Sequence, residues 1–438
     1  MLQQTSIRKR SADSEHPIAY LILGGIASIK LNLLGEIYMG EFIAAVYTIY
    51  LLCSLQVERR FAGILGLTLL WSIAQIFSDL ENGTDVSTSM KGVLAPLVFF
   101  ATIYAVGNGF DSRHEKSLWF FVAGTTLYRL YDTTFNPIDV AIENPWKWGY
   151  AVPVLSLLLA YLSLRRASNM KVLVCLLMFS TVSIVFDFRS NAALPLFGAM
   201  AYLYRDSRPA AYLARAARAS GGMIVIALTL AMGIYLLNEV FSFLFAHSAD
   251  FGFLSQDAAH KYTVQATSDL GILLGGRPEL LVSLRAFADA PLLGHGSWAL
   301  DTGGYVDELN LLSHQLGMSL TDKFPELDST LIPTHSFIMS AMVWAGITGG
   351  IFWAGLLGSC LRTFLLHLRR LPVYFCVGMP QLLWDAFFSP FGADNRWLAA
   401  LYIGLLFAWT WPRPRGRQAA QPRTPKRRPA LSRRPAQE

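Results

Sequence analysis

Apolar residues dominate this sequence in long runs, broken at intervals by short polar segments. A helix needs about 20 mostly apolar residues to cross a bilayer, with a range of about 17–25. Runs of that kind begin near Pro17, Glu41, Phe61, Gly92, Ser117, Gly149, Val172, Ala192, Gly222, His335, Leu371 and Trp397. The pattern predicts an all-α, polytopic membrane protein of about twelve transmembrane helices, because only helices satisfy their own backbone in lipid. Residues 1–16 form a short N-terminal segment, and 17–411 form the membrane domain. The tail 412–438, rich in Arg, Pro and Ala without apolar periodicity, is expected to be disordered.

The polar connectors differ in charge. Alternate ones carry Arg8-Lys9-Arg10, Arg59-Arg60, Arg113 with Lys116, Arg165-Arg166 with Lys171, the stretch Arg205 to Arg218, and Arg362 with Arg369-Arg370. With the tail these segments hold 26 of the 36 Lys and Arg residues, so they mark the cytoplasmic side and put both termini there. The expected location is the bacterial inner membrane. Trp146, Trp148, Tyr150 and Trp397 sit at the edges of runs, where aromatic rings meet headgroups. The first run lacks a small-residue cleavage site after it and reads as a retained helix.

One connector stands apart. Residues 247–333, between the ninth and tenth runs, form a long loop assigned to the extracytoplasmic side, with eleven acidic residues against Lys261, Arg277, Arg285 and Lys323. Loops of this length in compact proteins are usually functional or disordered. Within it, Pro278 to Ala288 is predicted as a short helix on the membrane surface. Leu281, Leu284, Phe287 and Ala288 repeat at helical spacing, Pro278 suits the first turn, and Pro291 with Gly294 ends it.

Composition narrows the function classes. The chain is 53% hydrophobic and 15% charged, against about 25% charged in soluble domains, so it is a membrane domain and not a soluble enzyme with an anchor. The net charge of +6 lies at helix ends and in the tail, which suits anionic lipid and not nucleic acid. Cys53, Cys175, Cys360 and Cys376 all fall in apolar runs without a C-x-x-C pair, so they read as buried apolar side chains. His247, His260, His295 and His314 lack metal-ligand spacing, and no Walker A loop is present; neither a metal, nor ATP, nor another cofactor is expected.

Three places could carry chemistry, all on the loop's side. Arg189, in Asp187-Phe-Arg-Ser-Asn191, is costly at a hydrocarbon edge unless paired with Asp187 or serving a ligand. Arg277, in Gly275-Gly-Arg-Pro-Glu279, offers a planar fork at a helix start suited to phosphate, or a partner for Glu279. His335, in Pro333-Thr-His-Ser336, sits before a helix whose dipole disfavours its cation; it is a polar cap or a general base. Gly346 to Gly350 matches close helix packing. Arg129, Arg285, Asp385 and Arg396 receive no role from the sequence.

Taken together, the segments resemble the O-antigen ligase and O-antigen polymerase superfamily of bacterial envelope glycosyltransferases. The likeness covers most of the chain in topology. It is sharpest in Gly276-Arg277, then Ala290-Pro-Leu-Leu-Gly-His-Gly296, then Pro333-Thr-His-Ser336 and the glycines 346 and 350. Arg189 departs from the family in following Phe188, where serine is common. The resemblance implies an undecaprenyl-pyrophosphate-linked oligosaccharide as donor and a glycan or lipid A-core hydroxyl as acceptor. It implies Arg277 and Arg189 on the pyrophosphate, His335 as catalytic base, and inversion without a metal. Pro333-Thr-His-Ser336 inclines the reading to an exopolysaccharide or O-antigen polymerase, with ligase as the alternative. From another class, a secondary transporter would also have about twelve helices.

Overall fold

The computed structural model describes residues 16–246 except 34, 55–57, 111–113 and 187, then 263, 264, 266, 277–315 and 330–411. The segment 1–15, most of 247–276, residues 316–329 and the tail 412–438 lie outside the described residues, and with them Asp187, Gly275-Gly276, His247 and His260.

Among the described residues the chain is all-α apart from one small β-hairpin. A helix begins within about six residues of every predicted start. They are α1 (Pro17–Ala27), α2 (Met39–Cys53), α3 (Ala62–Glu81), α4 (Val86–Gly109), α5 (Glu115–Phe135), α6 (Asp139–Glu143), α7 (Ala151–Leu164), α8 (Asn169–Val185), α9 (Arg189–Leu203), α10 (Arg208–Ala216) and α11 (Gly222–Ala246). After the gap come α12 (Pro278–Asp289), α13 (Tyr305–Gln315), α14 (Phe337–Ala345), α15 (Ile347–His367), α16 (Val373–Phe388) and α17 (Ala393–Thr410). Among the described residues five helical segments are long and apolar enough to cross a membrane: 59–81, 86–109, 146–164, 222–240 and 347–370. Apolar side chains such as Ile49, Met178, Ile224 and Leu228 are exposed around the outside, as in a protein whose outer face meets lipid. α17 runs through the middle; Trp397, Ile403, Leu405, Leu406 and Phe407 are all essentially inaccessible.

Contacts sort the connectors into two ends. At one, Arg60 donates to Asn108 Oδ1 (3.0 Å) and to the Trp411 carbonyl, and Arg166 pairs with Glu115 (2.9 Å). Arg369 pairs with Asp206 (3.1 Å) and the Tyr374 amide donates to Ser163 Oγ (3.2 Å) at this same end. At the other end, Asn144 Nδ2 donates to the Phe186 carbonyl (3.0 Å), Lys30 meets Asp394 (3.3 Å) and Ser336 Oγ donates to the Ala386 carbonyl (2.8 Å). Among the described residues, the arginine-bearing connectors thus gather at one end and the chemistry-bearing ones at the other.

Two features differ from the sequence reading. The run from His335 is two helices, not one span. α14 and α15 form an antiparallel hairpin turning at Gly346, whose φ of +64° and ψ of −151° only glycine adopts readily. Phe337 reaches Trp353 (ring centroids 5.2 Å apart) and Gly349 backs onto the Ala341 carbonyl, so the two helices run side by side. The first connector holds a β-hairpin, β1 (Lys30–Leu33) against β2 (Gly35–Tyr38), with Lys30 opposite Tyr38. α12 is the short helix predicted in the long loop; it buries Glu279, Val282, Ser283 and Ala286, and leaves Leu284 and Ala288 of its apolar face exposed. The small, partly polar side of this helix packs on α14.

Candidate functional site

Two parallel helices frame the site. Ser283, in the middle of α12, donates from Oγ to the Pro333 carbonyl (2.7 Å), just before α14. Past the other end of α12, the Ile347 amide donates to the Pro291 carbonyl (2.8 Å) and the His295 amide to the Val343 carbonyl (2.7 Å). α12 and α14 therefore point the same way, with their N-termini together. Ser336 caps α14, its Oγ accepting from the Met339 amide (3.2 Å). Arg277 is the N-cap residue of α12.

Arg277 and His335 both lie at these N-termini, close enough for the charge of one to act on the other, although 57 residues separate them in the chain. Both are part-buried. Burial, then the Arg277 charge, hold the His335 pKa down at about 4, against an ordinary value near 6.5. The sequence assigned a neutral imidazole to the helix dipole; desolvation and a neighbouring guanidinium are the causes here. Burial also lowers the Arg277 pKa, with Glu279 acting against it, yet a guanidinium stays protonated at any working pH. Burial raises the Glu279 pKa, and its Oε2 is buried without a hydrogen-bond partner. The site thus offers one fixed cation, one neutral imidazole and two positive helix ends.

Arg189 occupies the first position of α9 and is exposed. It lies at the same end as the site: the far end of α9 adjoins the start of α16, where Gly198 abuts Val377, and the far end of α16 carries the Ala386 carbonyl that Ser336 bonds. The charge recorded on His335 is that of Arg277. Its expected partner Asp187 lies outside the described residues.

A clasp that the sequence left unassigned holds the loop down. Asp79, 2% exposed, accepts from the Ser297 amide (2.6 Å), Ser297 Oγ (2.9 Å) and Ser89 Oγ (2.9 Å). Ser78 Oγ accepts from the Gly296 amide (2.9 Å) and donates to the Trp344 carbonyl (2.7 Å). Gln75 Nε2 reaches Ser297 Oγ (2.9 Å). At Gly294, with φ +77°, a Cβ would lie 2.6 Å from the Trp344 carbonyl carbon, so this close approach needs glycine. The segment Pro291 to Gly296 is thus a backbone clamp on the α14–α15 turn. His295 belongs to it, with Nε2 at 2.7 Å from the Ala286 carbonyl. The polar spacing Gln75, Ser78, Asp79 on one helical face of an apolar run was the available signal.

The residues without a sequence role fall into place. Arg285 makes an exposed pair with Glu308 (2.7 Å) between α12 and α13. Asp385 accepts from Gln381 Nε2 (3.0 Å) and Ser389 Oγ (2.8 Å). Arg396 forks onto buried Glu41 at 2.8 and 2.9 Å and also reaches the Glu36 carbonyl (3.2 Å). Tyr38 bonds Asp394, pinning the β-hairpin to α17. Arg129 acts electrostatically on Tyr38 and Asp394, and its Nη1 is buried without a hydrogen-bond partner. No group of three or more metal-ligating side chains is found among the described residues.

Comparison of the chain with protein-family models, with curated proteins and with solved structures finds no match.

Proposed function

We propose that the chain is an inner-membrane glycosyltransferase that moves a glycan from an undecaprenyl-pyrophosphate donor to a hydroxyl acceptor at the periplasmic face. In this reading about twelve helices cross the membrane, the arginine-bearing end and both termini are cytoplasmic, and residues 247–333 are periplasmic. The observation that carries the reading is the placement of Arg277 and His335 at the paired N-termini of α12 and α14, where the Arg277 charge acts on His335. A planar guanidinium with two positive helix ends suits a pyrophosphate, and a neutral imidazole beside it suits an acceptor hydroxyl.

The mechanism needs only these groups. His335 takes the acceptor proton as the acceptor oxygen bonds to the anomeric carbon. The bond from that carbon to the pyrophosphate oxygen breaks, its electron pair leaves with the lipid pyrophosphate, and Arg277 stabilises the growing charge. Attack opposite the leaving group inverts the anomeric centre, and the imidazolium returns its proton to water. A bound pyrophosphate also offsets the Arg277 charge, which raises the proton affinity of His335 only when the donor is present. Arg189, at the same end, is a second contact for the pyrophosphate or the lipid-proximal sugar.

Within this chemistry we favour a polymerase that joins repeat units, with a ligase acting on lipid A-core as the alternative. A secondary transporter is favoured by one feature alone, the discontinuous helix pair α14–α15. A deletion strain separates these readings. Loss of secreted or O-chain polymer supports polymerase, and full-length chains missing from lipid A-core support ligase. Normal glycans in both fractions would exclude both.

A further inference from the structure

The arginine-bearing end holds a second candidate site, independent of the transfer chemistry. α10 starts at a Ser207 cap, whose Oγ accepts from the Ala210 amide (3.3 Å). Its C-terminal end is pinned to the bundle by Arg362 of α15, which donates from Nε to the Ala217 carbonyl (3.1 Å). Ala210 is buried on that side, whereas Arg208, Tyr212, Arg215 and Arg218 are exposed. α10 is therefore a short amphipathic helix lying across the end of the bundle.

Two adjoining hollows flank it. One of about 270 Å³ lies between α10 and the end of α15; its polar lining is Arg205, Arg215, Arg218 and Arg369, and its floor is Ala and Leu. The other, about 530 Å³, lies between α10 and α11; Leu213, Val225 and Ile226 line it together with Arg208 and Arg215. Arg215 is common to both. The acid that pairs with this group is Asp206, 3.1 Å from Arg369 and 3.8 Å from Arg205. The second hollow continues onto the exposed apolar flank of α11, at Ile224, Val225 and Leu228.

We propose that this is a binding site for one anionic phospholipid, with its phosphate among Arg205, Arg215 and Arg218 and an acyl chain in the groove of Leu213, Val225 and Ile226. Four guanidinium groups against one carboxylate select a net negative headgroup, and their forks suit phosphate oxygens. A soluble anion leaves the apolar groove uncovered; an acyl chain fills it. The bound lipid holds α10 against α11 and α15.

Native mass spectrometry of the purified full chain, with phosphatidylglycerol or phosphatidylcholine at equal mole fraction in the micelle, tests this. Phosphatidylglycerol is retained and phosphatidylcholine is not. Each arginine removed weakens retention about fivefold, so Arg215→Ala with Arg218→Ala weakens it on the order of 25-fold. Arg165→Ala, an exposed arginine at the same end but outside both hollows, leaves retention unchanged. If the double variant is not monodisperse, the single variants Arg215→Gln and Arg218→Gln are read instead, each at about fivefold. Equal retention of the two lipids, unchanged retention in the arginine variants, or an equal loss in Arg165→Ala overturns the proposal. So does stabilisation of the wild type, but not of the arginine variants, by millimolar inorganic phosphate alone, which would assign the cluster to a soluble anion.

Discussion

Replacing Arg277 with Met removes a charge from beside His335 while keeping a long apolar side chain in its place. Holding the His335 pKa at about 4 instead of 6.5 corresponds to about 3 kcal/mol against the imidazolium. Burial is the larger cause and Arg277 the smaller, so losing the charge returns less than half of that. The variant's His335 should therefore titrate above about 4 but no higher than about 5, since burial persists. NMR of histidine-labelled protein in nanodiscs reads this directly, with the resonance assigned by its loss in His335→Asn. Arg285→Met, which removes an exposed arginine from the same helix, should leave the resonance in place. Inorganic pyrophosphate added to the wild type should move His335 in the same direction as Arg277→Met, by offsetting the same charge. A linked effect on stability follows. Between pH 6.5 and about 4 the unfolded chain binds a proton here that the folded protein refuses. Stability therefore falls as pH drops through that window, and His335→Asn removes this part of the loss. A wild-type His335 titrating near 6.5, or an unmoved resonance in Arg277→Met, would refute the account of the site's electrostatics.

Arg396→Met leaves buried Glu41 without its cation and should cost about 3–5 kcal/mol, read as a lowered Tm in detergent; adding Glu41→Gln should recover part of it. In a cysteine-free background, a cysteine at exposed Leu311 should react with an impermeant maleimide in intact spheroplasts, whereas labelling only after lysis would reverse the proposed orientation.

Much of the helical plan was legible because long apolar runs admit little besides helices, and because most charged residues fall between the runs. The α14–α15 break was harder to see. From His335 to just before Arg362 the sequence reads as one continuous apolar stretch, and Gly346 reveals its role only through a backbone angle and the Leu292 carbonyl pressed against it. The side by which α12 packs on the protein was not legible in its apolar spacing. Apolar spacing picks out Leu281, Leu284 and Phe287, but the helix packs on α14 by its small residues, Ser283 and Ala286, and leaves Leu284 outward. Arg277 and His335 were each visible as residues suited to phosphate and proton transfer. Their juxtaposition required the Ser283–Pro333 bond and the loop clasp on Asp79, which connect positions far apart in sequence.

The most direct measurement is glycan transfer by the purified protein in nanodiscs, from an undecaprenyl-pyrophosphate-linked oligosaccharide, with donor binding followed separately. His335→Ala and His335→Gln should each lower transfer by about 10²–10⁴-fold while largely keeping donor binding. Arg277→Lys, which retains the charge but loses the fork, should lower turnover by about 10²–10³-fold and weaken the donor complex. Wild-type protein that binds no donor, or near-normal transfer by both His335 variants, would contradict the account.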